Sequence, residues 1–162
     1  MSKMKVHYMS ESNEWYTPFD LYETLDKEFD FDLDPCATNE NAKCDKYYTI
    51  DDDGLIQDWD GNVFVNPPYG REIKHWVEKS FVESQRERER ERAVVMLIPS
   101  RTDTRYWHDW IFGKASEIRF IKGRLKFGGS KNSAPFPSAV VVFRKGDFNT
   151  KVSTIDTKGE QL

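Results

Sequence analysis

Apolar positions along this chain switch repeatedly between a spacing of three to four and a spacing of two, the periods that separate helices from strands. Leu21, Leu25 and Phe29 share one stripe, which predicts a helix over residues 17–28 with Thr17 as N-cap, Pro18 in the first helical position and Asp20 three residues after the cap. Phe29, Phe31 and Leu33 then alternate with Asp30, Asp32 and Asp34 up to Pro35, a strand pattern whose C-terminal end presents Asp34. Residues 38–62 are polar and loop-like, with Gly54 and Gly61 as turn points. VFVN is a second strand. Ile73, Trp76, Val77, Ser80 and Phe81 return to helical spacing, and the predicted helix runs on into QRERERER as a solvated end. AVVMLIPS, at 93–100, is a continuous apolar run of the kind buried on both faces of a parallel sheet. Residues 103–113 suit a short helix with Trp107, Trp110 and Ile111 on one side. Residues 117–127 and 138–144 read as strands around a mobile loop at 128–133, and the polar tail from Gly146 is expected to fray.

Alternation of strand and helix, followed by two strands in succession, argues for an α/β sheet with an antiparallel strand near one edge. A chain of 162 residues has room for one domain with a core, expected over 13–145 with flexible termini at 1–12 and 146–162. No apolar run approaches a membrane span and the N-terminus lacks an apolar signal region, so the expectation is a soluble, cytoplasmic protein without membrane contact. Cys36 and Cys44 form no CxxC pair and have no histidine cluster nearby, which argues against a disulfide framework or a metal site.

Charge changes the picture through its distribution. The net charge is −4, yet residues 1–62 carry 16 acidic and 5 basic side chains while residues 101–131 carry 3 acidic and 8 basic ones. Arg101, Arg105, Lys126 and Lys131 belong to that basic stretch, interleaved with Tyr106, Trp107, Trp110 and Phe127. Cations for phosphates and rings for bases are what nucleic-acid contact uses, although a solvated surface over core aromatics has the same composition.

Candidate chemistry centres on VFVNPPYG, residues 63–70. Ligands of open α/β sheets bind beyond the carboxyl ends of strands, where Asn66 and Asp34 are both expected. Pro67 and Pro68 keep the backbone extended past the strand and remove two N–H groups. What remains is a rigid acceptor corner, the Asn66 side-chain oxygen and the Pro67 carbonyl, with the Tyr69 ring beside it. Two adjacent acceptors suit an exocyclic NH2 group, and a ring suits a flat base. The three histidines find no Gly-x-Ser-x-Gly elbow, so a serine triad fits poorly.

NPPY at a strand end resembles the catalytic motif of amino-directed methyltransferases. With NEWYTP, LDPCAT, GLIQDWDGNVFVNPPYG and GRLKFGG followed by APFPSAVVVF, residues 13–145 resemble the small phage-type DNA N-6-adenine methyltransferases of the Dam family. The resemblance implies a trimmed Rossmann-like sheet, S-adenosylmethionine as methyl donor, no metal, double-stranded DNA as partner, a bacterial host cytoplasm, and a homodimer as an open option. It implies Asn66, Pro67, Pro68 and Tyr69 as the catalytic pocket. Asp34 and Pro35 would stand at the donor site, Trp15, Thr17 and Pro18 would close over the methionine part, and Asp58 and Trp59 would meet the donor's adenine. Phe127 would stack on a flipped base opposite Tyr69. From the basic stretch, Arg101, Arg105, Lys126, Lys131 and the 128–134 loop are the expected DNA contacts. Plainer readings stand beside these: Trp15, Trp59 and Phe127 as core, Asp58 as a loop cap. DPCATNEN also departs from the glycine-rich turn that many methyltransferases carry after the first strand. An RNA or protein-glutamine methyltransferase, or a catalytically silent DNA-binding protein, remains the alternative.

Overall fold

The computed structural model describes residues 15–128 and 132–162. Helix α1, Phe19–Phe29, buries the expected stripe of Leu21, Leu25 and Phe29. Its N-cap position is Pro18, with no side-chain cap, so the Thr17 hydroxyl expected there is used elsewhere. The helix ends because Asp30 turns into the left-handed region at φ 53° and returns its N–H to the Asp26 carbonyl.

That turn also shortens the first strand. Phe29 belongs to the helix, Asp30 reverses the backbone, and only Leu33–Asp34 pairs as β1. The DFD alternation reflects something else: Phe29 and Phe31 stack at 5.6 Å, while Asp26 caps the Phe31 N–H and Asp32 caps that of Asn62. After β1 come β2 (Lys46–Tyr47), a tight 3-10 turn (Gly54–Ile56), β3 (Val63–Val65), α2 (Ile73–Ser84) and β4 (Ala93–Pro99). A π-helical turn (Trp107–Ile111), β5 (Glu117–Ile121), β6 (Ser138–Arg144) and β7 (Lys151–Ile155) complete the described elements.

These strands form one sheet in the order β2-β1-β3-β4-β6-β5-β7. β6 runs antiparallel to its neighbours β4 and β5, and the remaining pairings are parallel. This is the mostly parallel, Rossmann-like methyltransferase arrangement, with its reversed strand two places in from the β7 edge. β3, β4 and nearly all of β6 are buried along their length, which is why they read as uninterrupted apolar runs.

Three expectations need correction. α2 stops at Ser84, because like charges four apart oppose a helix there and the arginines have better partners in the segment around Trp59. Arg88 and Arg92 donate to the Trp59 carbonyl, and Arg86 and Arg88 pair with Asp58 and Asp60. β5 ends at Ile121, ahead of Gly123 at φ 87°. The tail does not fray over 151–155: it adds β7 beside β5 with Ile155 fully buried. The loop residues 129–131 and the N-terminal residues 1–14 lie outside the described residues.

Candidate active site

From β1 the chain passes to β2 on one side, then crosses to β3 on the other side of β1. The ends of β1 and β3 thus form the topological switch point where open α/β sheets bind ligands. A cavity of about 350 Å³ lies there, lined by Asp34 and Pro35 after β1, by Asn66, Pro67 and Pro68 after β3, and by Trp15 and Thr17. Its volume falls in the range of small-molecule and cofactor sites.

Asn66 is held on both ends of its amide. Nδ2 donates to the Trp15 carbonyl and, at 2.9 Å, to the Thr17 hydroxyl, while Oδ1 accepts from the Tyr69 hydroxyl at 2.8 Å. Exchanging the amide's nitrogen and oxygen would set two acceptors against each other at Trp15, so the hydrogen-bond network fixes the orientation. The Tyr69 hydroxyl also lies 3.0 Å from the Leu97 carbonyl on β4. Burial pushes its pKa well above the ordinary tyrosine value, with smaller electrostatic contributions from Tyr106 and Cys36, and keeps it a donor. The Pro67 carbonyl accepts none of the hydrogen bonds made by the described residues.

Asp34 is the buried charge of the cavity, at 4% exposure. Desolvation raises its pKa to about 6, against the lowering effect of backbone N–H groups from Lys43 at 3.0 Å and Cys36 at 3.3 Å. Those bonds fold the 36–43 loop around the carboxylate, doing without a glycine-rich turn. Five carboxylates line the cavity, those of Asp34, Glu40, Asp51, Asp53 and Glu72, against a single lysine, Lys43.

Seven of the expected residues come together here: Trp15, Thr17, Asp34, Pro35, Asn66, Pro67 and Pro68. Pro18 follows immediately as the start of α1. Asp58 and Trp59 do not line the cavity. Asp58 is an exposed partner of Arg86 at 2.7 Å, and Trp59 is fully buried, stacked on Trp76 at 6.2 Å. Trp59 acts from behind, its indole N–H donating to the Gly54 carbonyl at 2.9 Å. The cavity is lined instead by Asp51 and Asp53, exposed acids that sequence reasoning passed over as loop residues. Gly54 was the available signal, since a Cβ there would sit 2.1 Å from the Pro35 carbonyl oxygen and only glycine can close the wall.

Tyr69 and Phe127 do not flank an open slot. Both are buried, and they meet edge to face at 6.1 Å in a cluster with Phe136, which Trp15 joins through Phe127 and Phe136. Arg101, Arg105 and Lys126 are exposed, and Arg101 lies over the Phe136 ring at 5.5 Å. Lys131 lies outside the described residues.

The description of DNA N-6-adenine-methyltransferases (Dam) matches residues 5–159. The chain is 30% identical over 122 residues to the DNA N-6-adenine-methyltransferase of Haemophilus phage HP1 (strain HP1c1), covering 73% of this chain and 68% of that protein. To the enzyme of the same name from Escherichia phage T1 it is 31% identical over 117 residues, 68% of this chain and 45% of that protein. A putative methyltransferase of Escherichia coli (strain K12), YfdM, is 36% identical over 73 residues, 40% of this chain and 80% of that protein. With the switch-point cavity, the strand-end asparagine and a family match over nearly its whole length, this chain belongs to the Dam family of DNA N-6-adenine-methyltransferases.

Proposed function

We propose that this protein transfers a methyl group from S-adenosylmethionine to the exocyclic N6 amine of an adenine turned out of double-stranded DNA. The observation that carries the reading is Asn66, whose amide nitrogen is tied to Trp15 and Thr17 so that its oxygen is the group left to meet an amine.

The cavity suits the donor by its chemistry. Five carboxylates facing one lysine repel a phosphate-bearing cofactor and favour a cation such as a sulfonium or an ammonium. Asp34 would hold the amino-acid end of the donor, Trp15 and Phe64 would pack on it, and Asp51 and Asp53 would accept from its adenine amine. When bound, the donor supplies an electrophilic methyl that an amine lone pair displaces from sulfur.

Everything else required of the protein is alignment. Asn66 Oδ1 and the Pro67 carbonyl accept the two N–H protons of the target amine, which aims its lone pair and shares the positive charge that grows on nitrogen. Fixed placement of this kind contributes about 7–11 kcal/mol in favourable systems, and preorganised acceptors add to it. As the amine takes Oδ1, the Tyr69 hydroxyl retains the Leu97 carbonyl as an alternative acceptor. A base entering against Tyr69 has to displace Phe127 or Phe136 from its edge, so stacking follows an opening of the aromatic cluster.

Cations on the same rim support a DNA substrate. β3, β4 and β5 point the same way, and Arg101 and Arg105 follow β4 while Lys122, Arg124 and Lys126 follow β5. Expression in methylation-deficient bacteria followed by nucleoside analysis tests the reading. N6-methyladenine in DNA, lost with Asn66→Ala, is the expected result; methyl groups in RNA or protein, or DNA binding without transfer, would overturn it.

A further inference from the structure

We propose that the extended segment 15–17 is the device that aims the catalytic amide, with Thr17 as a positioning residue acting through its hydroxyl. This rests on the methyl-transfer reading of Asn66 and names a role that the reading itself does not require.

Thr17 sits where a helix N-cap is expected, immediately before Pro18, yet its oxygen caps nothing in α1. The hydroxyl instead accepts from Asn66 Nδ2 at 2.9 Å, across 49 residues of sequence. Thr17 is 6% exposed, so water is a poor substitute for that acceptor. One residue earlier the same segment is pinned again: the Gly128 N–H donates to the Tyr16 carbonyl at 2.8 Å in an antiparallel bridge to the 122–128 region. Trp15 adds ring contacts to Phe127 at 5.5 Å and Phe136 at 5.3 Å. Three consecutive residues therefore fix a backbone carbonyl and a hydroxyl at the same amide nitrogen, while the segment is anchored independently of Asn66.

The pair of acceptors makes the amide's orientation a matter of geometry. With one acceptor at Nδ2, the amide could pivot about that single bond once a substrate amine displaces the Tyr69 hydroxyl from Oδ1. Two acceptors occupy both N–H protons and hold the plane, so Oδ1 keeps one direction. Drawing both protons toward oxygen also polarises the amide and leaves Oδ1 a better acceptor. Valine at position 17 keeps the shape and removes the second acceptor; serine keeps the acceptor and removes a methyl.

The test compares Thr17→Val, Thr17→Ser and Thr17→Ala in the full-length protein. Readouts are single-turnover methylation of genomic DNA from methylation-deficient bacteria at saturating S-adenosylmethionine, calorimetric Kd for S-adenosylmethionine, thermal melting, and the Asn66 side-chain NH2 signals in 1H–15N spectra. Thr17→Val and Thr17→Ala are expected to slow the chemical step about 10- to 100-fold, the scale of a misplaced reacting group. Donor Kd should move less than about threefold, and Thr17→Ser should recover most of the lost rate. In thermal melting, Thr17→Val in an Asn66→Ala background should add little further loss, because the two side chains act as one unit. The NH2 signals of Asn66 should shift in the valine and alanine variants and hold near their wild-type positions in the serine variant. A valine variant with a weakened donor Kd and an unchanged rate would make Thr17 a donor ligand and overturn the proposal, as would full additivity with Asn66→Ala in melting. Should the wild type transfer no methyl group to DNA, the functional reading fails on its own; the NH2 signals then decide the positioning role, and invariance across the Thr17 variants would sink it.

Discussion

Asp34 shows how a single side chain couples the cavity's shape to its charge. Both carboxylate oxygens accept backbone N–H groups from the loop that follows, and the site is dry enough to lift the pKa from 3.8 to about 6. A folded-state pKa above the unfolded value means the folded protein binds the extra proton, so this contribution to stability is fully present below about pH 4 and is lost as pH rises through 6. The difference corresponds to about 3 kcal/mol between the two limits. Urea unfolding of wild type and Asp34→Asn at pH 4.5, 5.5 and 6.5 isolates it, and the wild type should lose stability relative to the variant as pH rises through that window. Donor binding runs the opposite way. An ionised Asp34 suits a cationic ligand, so calorimetric affinity for S-adenosylmethionine should rise between pH 5 and 7 in the wild type and stay flat in Asp34→Asn. Gly54 is the steric counterpart. Alanine there collides with the Pro35 carbonyl and with Trp76 at 3.1 Å, so Gly54→Ala should cost about 1–3 kcal/mol in urea unfolding and weaken donor binding with it.

At the scale of elements, β7 tests what holds the far edge of the sheet. Of its five residues only Ile155 is buried, and that side chain is fully enclosed while Val152 is 61% exposed. Ile155→Ala should therefore cost about 2–5 kcal/mol, and Val152→Thr less than about 0.5 kcal/mol, by chemical denaturation. The same imbalance explains why KVSTI was not legible as a strand: one buried position in five leaves no alternation to read. VFV, AVVMLIP and SAVVVFR were legible because neighbouring strands and covering elements bury nearly every side chain. FDFDLD misled for a different reason, since Phe29 fits both the helical stripe and the alternation, and a left-handed Asp30 decides between them. The strand-end site was legible to a similar depth. Asn66 and Asp34 could be placed on one rim from strand ends alone, whereas the use of the Thr17 hydroxyl and the position of Trp59 depend on contacts 49 and 24 residues away.

Taken as a whole molecule, this protein carries a net charge of −4 and still has to meet a polyanion. The cations that follow β4 and β5 differ in their pairing from a set elsewhere in the described residues. Arg86, Arg88, Arg119, Arg144 and Lys145 all engage carboxylates. Arg101, Arg105, Lys122, Arg124 and Lys126 are exposed and make no ion pair with any described residue. Paired cations are already neutralised locally and lose that partner on binding phosphate; unpaired ones displace counterions from DNA at no such cost. The two groups should therefore separate in a salt titration. Neutralising Arg105 and Lys126 to glutamine should lower DNA affinity and flatten the dependence of log K on log salt by about one unit per phosphate contact removed. Lys145→Gln, which breaks an exposed pair with Glu87, should leave that slope unchanged. Fluorescence anisotropy with a labelled duplex between 50 and 200 mM salt, roughly the span over which such slopes are resolved, reads both. Equal slopes for all three proteins would mean that DNA approaches another face, and the acid-lined cavity would then need a different route to its base.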